Sequence, residues 1–337
     1  MGYHKLHALP RARGTGLKIK LKDYDYHLQH RFQISRGAKH MAELFRVEIE
    51  QDGAKGRGEA LPYAHYGESR EGEKQKIKAL TTDTIKRETL TKTLPPGSAR
   101  NALDCALWDL ESKKTGKRVW ELIGIEEPQP LPCSYTISLD TAENMSAQAK
   151  EKSQYSILKI KLAGDKKDRE RVKAIRAARH DTKLILDANE GVSEKALPQW
   201  IAMMMDFHPI MIEQPVKAGS DEILQGINAP LCADESFRTA DDMETLKGTY
   251  QYLNIKLDKL GGLTHAIEVK KKAEQMGFSI MIGCMVAGSL SLAPAQLLAQ
   301  TAAIADLDGA ALLKDDTHPA LNYKNGHIHP PKPELWG

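Results

Sequence analysis

Between Leu17 and Leu61 the chain alternates apolar and polar positions, first in LKIKLKDYDYHLQHRFQIS and again in FRVEIEQDGAKGRGEAL on either side of Asp52-Gly53. A period of two broken by Asp-Gly predicts an antiparallel sheet of about three strands with one buried face. Arg36 to His40 and the stretch PYAHYGES read as loops of that sheet. The period then lengthens. Across residues 69 to 115 the spacing is helical: SREGEKQKIKALTTDTIKRETL is charged and mostly exposed, whereas ARNALDCALWDLESKKTG sets Ala102, Leu103, Ala106, Leu107 and Leu110 on one face and stops at Gly116.

From about Leu131 short apolar runs alternate with amphipathic stretches such as KKDRERVKAIRAARH and LTHAIEVKKKAEQMG, with a repeat of about 20 to 27 residues. Runs at 132–138, 156–162, 183–188, 210–214, 230–234, 252–257, 278–283 and 303–308 predict eight buried parallel strands. Short connections point to a closed α/β barrel. An open doubly wound sheet is the competitor, but it would spread the strand ends along an edge about 40 Å wide. The tail beyond Leu313, with Pro319, Pro330, Pro331 and Pro333, is expected to be irregular and to return to the first domain. The domain reading is an N-terminal α+β domain over 1–128, a barrel over 129–312 and a C-terminal tail over 313–337; the opening MGYHKLHALPRARGTG reads as a loose basic tail.

Composition removes several classes of function. The 337 residues are 41% hydrophobic and 28% charged with a net charge of +3, and no basic block is interleaved with aromatics, so nucleic acid is not an expected partner. No apolar run approaches the roughly 20 residues of a membrane span, and no signal-peptide core precedes the sheet. Four scattered cysteines without CxxC spacing fit a reducing cytoplasm. A small-molecule substrate remains.

The chemistry sits at the ends of five consecutive runs. ILKIK, LILDAN, IMIEQP, APLCADES and YLNIKLD finish on Lys161, Asp187, Glu213, Asp234 and Lys256, and in a parallel barrel those ends meet at one mouth. Lys159 and Lys161, two apart, share a strand face, where each makes protonation of the other more costly and so moves one towards the range of a base. Asp187, Glu213 and Asp234 form an all-oxygen set suited to a hard cation such as Mg²⁺. Lys256 lies across the mouth from the second strand. A KxK pair alone is an ordinary strand edge and a strand-end Asp an ordinary helix cap; five such tips in succession are neither, because buried charges are rare unless paired or coordinating. Thr136, on the first barrel strand, is a further candidate substrate contact. Gly261-Gly262 reads as a chain turn.

KIK, LDAN, IEQP, ADES and NIKLDKLGG resemble the signature of the enolase superfamily in its muconate-lactonizing subgroup. FQISRGAKH, GEALPYAHYGES, ARNALDCALWDL and DLDG are similar to segments of the L-Ala-D/L-Glu (dipeptide) epimerases. The resemblance implies a modified TIM barrel, (β/α)7β, under an N-terminal α+β capping domain, and a requirement for Mg²⁺. It implies Asp187, Glu213 and Asp234 as metal ligands, Lys161 and Lys256 as the acid/base pair, and Lys159 as the residue that helps hold the substrate carboxylate and tunes Lys161. It further implies that Asp306 and Asp308 bind the α-ammonium of a dipeptide and that Arg36 contacts the side-chain carboxylate of its glutamate. The expected reaction is inversion of the α-carbon of the dipeptide's C-terminal residue by 1,1-proton transfer through an enediolate, with a role in recycling murein peptides. Competing expectations keep the site and change the outcome: an o-succinylbenzoate synthase, a cycloisomerase, or an epimerase of hydrophobic or cationic dipeptides. A noncatalytic metal-binding barrel is the competitor from another class, and the intact lysines oppose it. The sequence leaves open whether the chain forms a homo-oligomer.

Overall fold

The computed structural model describes residues 16–81 and 84–337; most of the predicted basic tail lies outside them. The N-terminal sheet is a meander of β1 (Lys18–Ile34), β2 (Gly37–Gln51) and β3 (Ala54–Ala60), paired in that order. Arg36 to His40 is not a loop as expected. The turn is confined to Ser35 and Arg36, and β2 starts at Gly37, so the alternating pattern runs almost to the tip of a long hairpin.

Alternation on β2 gives each face a separate job. Phe45, Val47 and Ile49 pack with Ala102, Leu103, Ala106 and Leu110 of helix α3 (Ser98–Thr115), which follows the shorter α1 (Arg70–Lys78) and α2 (Arg87–Thr93). Leu44 on the opposite face joins the barrel's outer core. Helix α3 comes so near β3 that a Cβ on Gly56 would stand 2.1 Å from Ala106 O and one on Gly58 2.0 Å from Ala102 O. Leu107, expected on the buried face, is only partly covered. Helix α3 ends at Gly116, left-handed at φ 72, whose N–H donates to Ser112 O.

After α4 (Val119–Ile123) comes β4 (Leu131–Pro132), which pairs with the tail hairpin β13 (Tyr323–Lys324) and β14 (His327–Ile328) instead of entering the barrel. The barrel strands are β5 (Tyr135–Ile137), β6 (Ile157–Lys161), β7 (Lys183–Asp187), β8 (Met211–Glu213), β9 (Leu231–Ala233), β10 (Tyr252–Ile255), β11 (Ser279–Gly283) and β12 (Ile304–Asp306), parallel and in sequence order. A parallel bridge between Cys133 and Ala305, with Ser134 N donating to Ala305 O at 3.0 Å, closes the ring. Helices α5 (Ala142–Glu151), α6 (Asp168–Ala178), α7 (Leu197–Met205), α8 (Met243–Leu246), α9 (Leu257–Leu260), α10 (Leu263–Gln275) and α11 (Ser289–Leu298) follow strands on the outside. The regular alternation fails at two places: β8 and β9 are joined by a 3-10 turn at Asp221–Leu224, and β12 is followed by another at Gly309–Leu312. In the tail, Trp336 is fully buried with its indole N–H donating to Cys105 O at 2.9 Å, and Val119 N donates to Gly337 O.

Inside the barrel the period of two builds layers. Ile157, Ile185, Met211, Cys232, Met281 and Ile304 form an apolar floor. Two residues further along the strands, the inward positions are Lys159, Asp187, Glu213, Asp234, Asn254 and Asp306, all at most 4% exposed. Gly283 completes this layer without a side chain because a Cβ there would lie 2.3 Å from Asn254 Oδ1.

Candidate active site

The charged layer is held by mutual pairing. Lys159 Nζ lies 2.7 Å from Asp306 Oδ2, 2.7 Å from Glu213 Oε2 and 3.3 Å from Asp187 Oδ2. One layer higher, Lys161 Nζ meets Asp187 Oδ2 at 2.5 Å and Lys256 Nζ meets Asp234 Oδ2 at 2.7 Å. The structure thus brings together every lysine and carboxylate singled out at strands two to six. Asn189 N donates to Asp187 Oδ1 at 2.9 Å, and Asn254 Nδ2 donates to Glu213 Oε1 at 2.8 Å. Asn189, Glu190 and Gln214, the residues that turn the chain away from the β7 and β8 ends, all have positive φ, a backbone cost met where a site needs its side chains aimed.

Burial alone would depress the Lys159 ammonium, but Asp306, Glu213 and Asp187 more than offset it and hold its pKa well above the usual lysine value. At Lys159 three carboxylates outweigh the one neighbouring ammonium. Burial opposes ionisation of Asp234 as well, yet Lys256 and Lys259 keep its pKa well below the carboxylate range. Glu213 goes the other way, pushed up to about 8 by burial and then by the charge of Asp187.

Among the described residues, no three His, Cys, Asp or Glu side chains stand in a ready-made metal-ligating geometry. Their oxygens are drawn to ammonium groups instead. The donor chemistry nevertheless fits a hard divalent cation: three fully buried carboxylates at neighbouring strand ends, with Glu213 Oε2 near Lys159 but aligned with no hydrogen-bond donor.

Above the charged layer lies a cavity of about 520 Å³ between the barrel mouth and the N-terminal hairpin, lined by Lys161, Lys256, Asp234, Asn189 and Glu235 below and by Phe32, Arg36, Lys39, Met41, Tyr63 and Tyr66 above. Arg36 reaches down to Asn189 O at 2.7 Å, Glu190 Oε2 at 2.8 Å and Glu235 Oε1 at 2.7 Å. Its charge is therefore already matched. Lys39, with its ammonium 4.7 Å from the Tyr63 ring centre, is the lining cation with no ion-pair partner among the described residues. Asp306 also accepts from Ser134 Oγ at 2.5 Å, Asp308 accepts from Thr136 N at 2.6 Å, and neither aspartate nor Thr136 lines the cavity. Asp308 is pushed up to about 6 by burial and by Asp306.

Sequence reasoning missed Lys259, fully buried and bonded to Asp234 Oδ1 at 2.7 Å, Asp234 O at 2.6 Å and Asn254 O at 2.9 Å. Its signal was a second lysine one turn after Lys256, between Leu257 and Leu260. Gln214 was missed too; its Oε1 accepts from Asp234 N and Ser236 N, both at 3.0 Å, and so ties the β8 and β9 ends together.

An eight-stranded barrel with a lysine- and carboxylate-lined mouth, under a separate α+β domain whose hairpin reaches over it, defines an enolase-type enzyme. Residues 18–124 match the mandelate racemase / muconate lactonizing enzyme N-terminal domain, and residues 142–334 the enolase C-terminal domain-like family. The chain is 39% identical over 318 residues to L-Ala-D/L-Glu epimerase of Escherichia coli (strain K12), covering 92% of this chain and 99% of that protein. It is 42% identical over 290 residues to N-acetyl-D-glutamate racemase of Pseudoalteromonas sp, covering 84% and 91%. An enolase family member from Agrobacterium tumefaciens with homology to dipeptide epimerases, solved with sodium and L-Ala-L-Glu, superposes with TM-score 0.93 at 41% identity over 95% of this chain and all of that one. A dipeptide epimerase from Enterococcus faecalis V583, solved with Mg and L-Leu-L-Tyr, gives TM-score 0.87 at 29% identity over 94% of this chain and 98% of that one. The chain belongs to the mandelate racemase / muconate lactonizing enzyme family of the enolase superfamily, and it is an isomerase of the epimerase or racemase kind.

Proposed function

We propose that the protein inverts the α-carbon of a glutamate residue in an L-Ala-D/L-Glu type dipeptide. The observation that carries this reading is that Lys161, which ends β6, and Lys256, just after β10, border one cavity whose floor is the carboxylate layer. A substrate carbon between them has an amine on either face. One amine withdraws the α-proton and the other returns a proton to the opposite side, so the stereocentre inverts with no change of oxidation state. The enediolate formed on proton loss carries extra charge on the substrate carboxylate, and the Lys159 ammonium in the layer beneath is the chain's own group for opposing it. Asp187, Glu213 and Asp234 are the residues that would hold Mg²⁺, which when bound supplies Lewis-acid stabilisation of that carboxylate. Lys39, which has no ion-pair partner among the described residues, favours an anionic substrate side chain.

A second reading is racemisation of an N-acylated glutamate. Two observations support it: Asp306 and Asp308 are engaged by Ser134, Lys159 and Thr136, and the racemase of an N-acetylated substrate is the relative at 42% identity. Incubation with L-Ala-L-Glu, N-acetyl-L-glutamate and a broad dipeptide library in D₂O with Mg²⁺ decides between them by mass shift. Deuterium at the glutamate α-carbon of the dipeptide, together with the D-epimer, supports the first reading. Exchange of the acetylated amino acid alone supports the second, and no exchange in any member removes both. Chelation with EDTA is expected to stop the exchange and added Mg²⁺ to restore it.

A further inference from the structure

Lys256 closes β10 and opens α9; its carbonyl accepts from Lys259 N and Leu260 N, each at 3.1 Å. The turn after it is held from two sides: Lys259 reaches back to Asp234 and Asn254 of the barrel, and Asp258, Leu260 and Gly261 bond to the N-terminal domain. Asp258, buried, accepts from Asn101 Nδ2 of α3 at 3.0 Å and from Leu61 N just beyond β3 at 3.3 Å. Arg100 donates to Leu260 O at 2.5 Å and to Gly261 O at 3.1 Å. Asp104 accepts from Thr264 N at 2.9 Å. Gly261 and Gly262, both at positive φ, let α3 come this near: a Cβ would lie 2.3 Å from Arg100 Nε at the first and 2.5 Å from Asp104 Cβ at the second.

Lys161 is treated differently. The backbone beyond it is held by barrel partners alone, Leu162 N donating to Asp187 O at 2.9 Å, Ala163 N to Asp168 Oδ1 at 3.1 Å and Gly164 N to Asp168 Oδ2 at 2.8 Å. The two lysines that border the cavity therefore rest on separate supports.

We propose that helix α3, through Asn101 on Asp258, is the positioning element of Lys256 and leaves Lys161 alone. The inference rests on the two-lysine reading above. Removing the Asn101 amide leaves the Asp258 side chain with a single long backbone contact and loosens the α9 turn at the position two residues from Lys256, while Arg100 and Lys259 still hold its far end; a displacement of about an ångström at a reacting group costs up to about 100-fold in rate. Proton abstraction on the Lys256 face slows while the Lys161 face is untouched. Asn101 is thus a positioning residue, and its loss should split the two half-reactions.

The test follows α-deuterium incorporation from L-Ala-L-Glu and from L-Ala-D-Glu separately, in D₂O with Mg²⁺, for the wild-type protein, Asn101→Ala, Asp258→Asn and the reference variant Lys256→Ala. Asn101→Ala is expected to slow exchange at least about 10-fold for the one epimer that Lys256→Ala silences, and less than about 2-fold for the other. Asp258→Asn, which still accepts from Asn101, is expected to keep both rates within about 3-fold; if Asn101→Ala does not fold, Asn101→Ser carries the comparison, where an asymmetric loss supports the inference and a symmetric loss or none opposes it. Equal slowing of both epimers in Asn101→Ala, or none in either, overturns the positioning role while leaving the catalytic reading intact. A wild-type protein that exchanges neither epimer nor N-acetyl-glutamate removes the catalytic reading and this inference with it.

Discussion

Asp104 sits in the contact between α3 and α10, accepting from Thr264 N at 2.9 Å and Thr264 Oγ1 at 2.6 Å. Burial pushes its carboxyl up to about 6 from 3.8, the Thr264 hydrogen bonds opposing but not cancelling the shift. At about 1.36 kcal/mol per pH unit, the difference is about 3 kcal/mol. For a carboxyl whose folded pKa is raised, that stability is fully present below pH 3.8 and is lost as pH rises through 6. Asp104→Asn removes the titration and keeps an acceptor for Thr264 N. Any fixed cost of the rearranged Thr264 hydroxyl, about 1 kcal/mol, is the same at both pH values and cancels in the comparison. Urea unfolding of both proteins at pH 4 and pH 7.5 should therefore show the variant gaining on the wild type by up to about 3 kcal/mol between the two. A gap that stays constant within about 0.5 kcal/mol, or that moves towards the wild type at the higher pH, would show that this carboxylate is not penalised by its surroundings.

Lys161→Ala and Lys256→Ala should each abolish epimerisation, and each should retain α-proton exchange with one epimer, the opposite one in the two variants; full turnover in either refutes the two-base scheme. Lys39→Ala should raise KM for L-Ala-L-Glu about 10-fold, as loss of a charge-assisted contact does, while leaving kcat/KM for L-Ala-L-Leu unchanged. An equal effect on both dipeptides would remove Lys39 as the anion contact. Trp336→Ala, which empties a fully buried site against α3 and removes the indole donor to Cys105 O, should cost about 3 to 5 kcal/mol in urea unfolding; a loss below about 1 kcal/mol would mean that the tail is not part of the core.

The barrel strands were legible because period and punctuation agree: apolar runs too short for helices, each ended by a charge that burial makes expensive. The same expense singled out Lys161, Asp187, Glu213, Asp234 and Lys256. What stayed hidden depends on who meets whom across the fold. Arg36 reads as a free cation in a loop, but Glu190 and Glu235, more than 150 residues away, neutralise it. The turn was misplaced because Gly37 to His40 lack the apolar alternation that marks the rest of β2; their pairing with Phe32 to Ile34 across the hairpin fixes them as strand. Gly261-Gly262 reads as a bend, and the approach of Arg100 and Asp104 adds to the positive φ a second reason why both positions lack a Cβ. Lys259 escaped notice because a lysine one turn into a helix ordinarily points to water, and this one points back under the strand ends.

The apolar floor of Ile157, Ile185, Met211, Cys232, Met281 and Ile304 makes the barrel a cup and not a pipe. The amines of Lys161 and Lys256 face the cavity on the rim side of that floor. On the two-lysine reading, the ratio of solvent label gained to stereocentres inverted reports how fast those amines exchange hydrons with solvent relative to turnover.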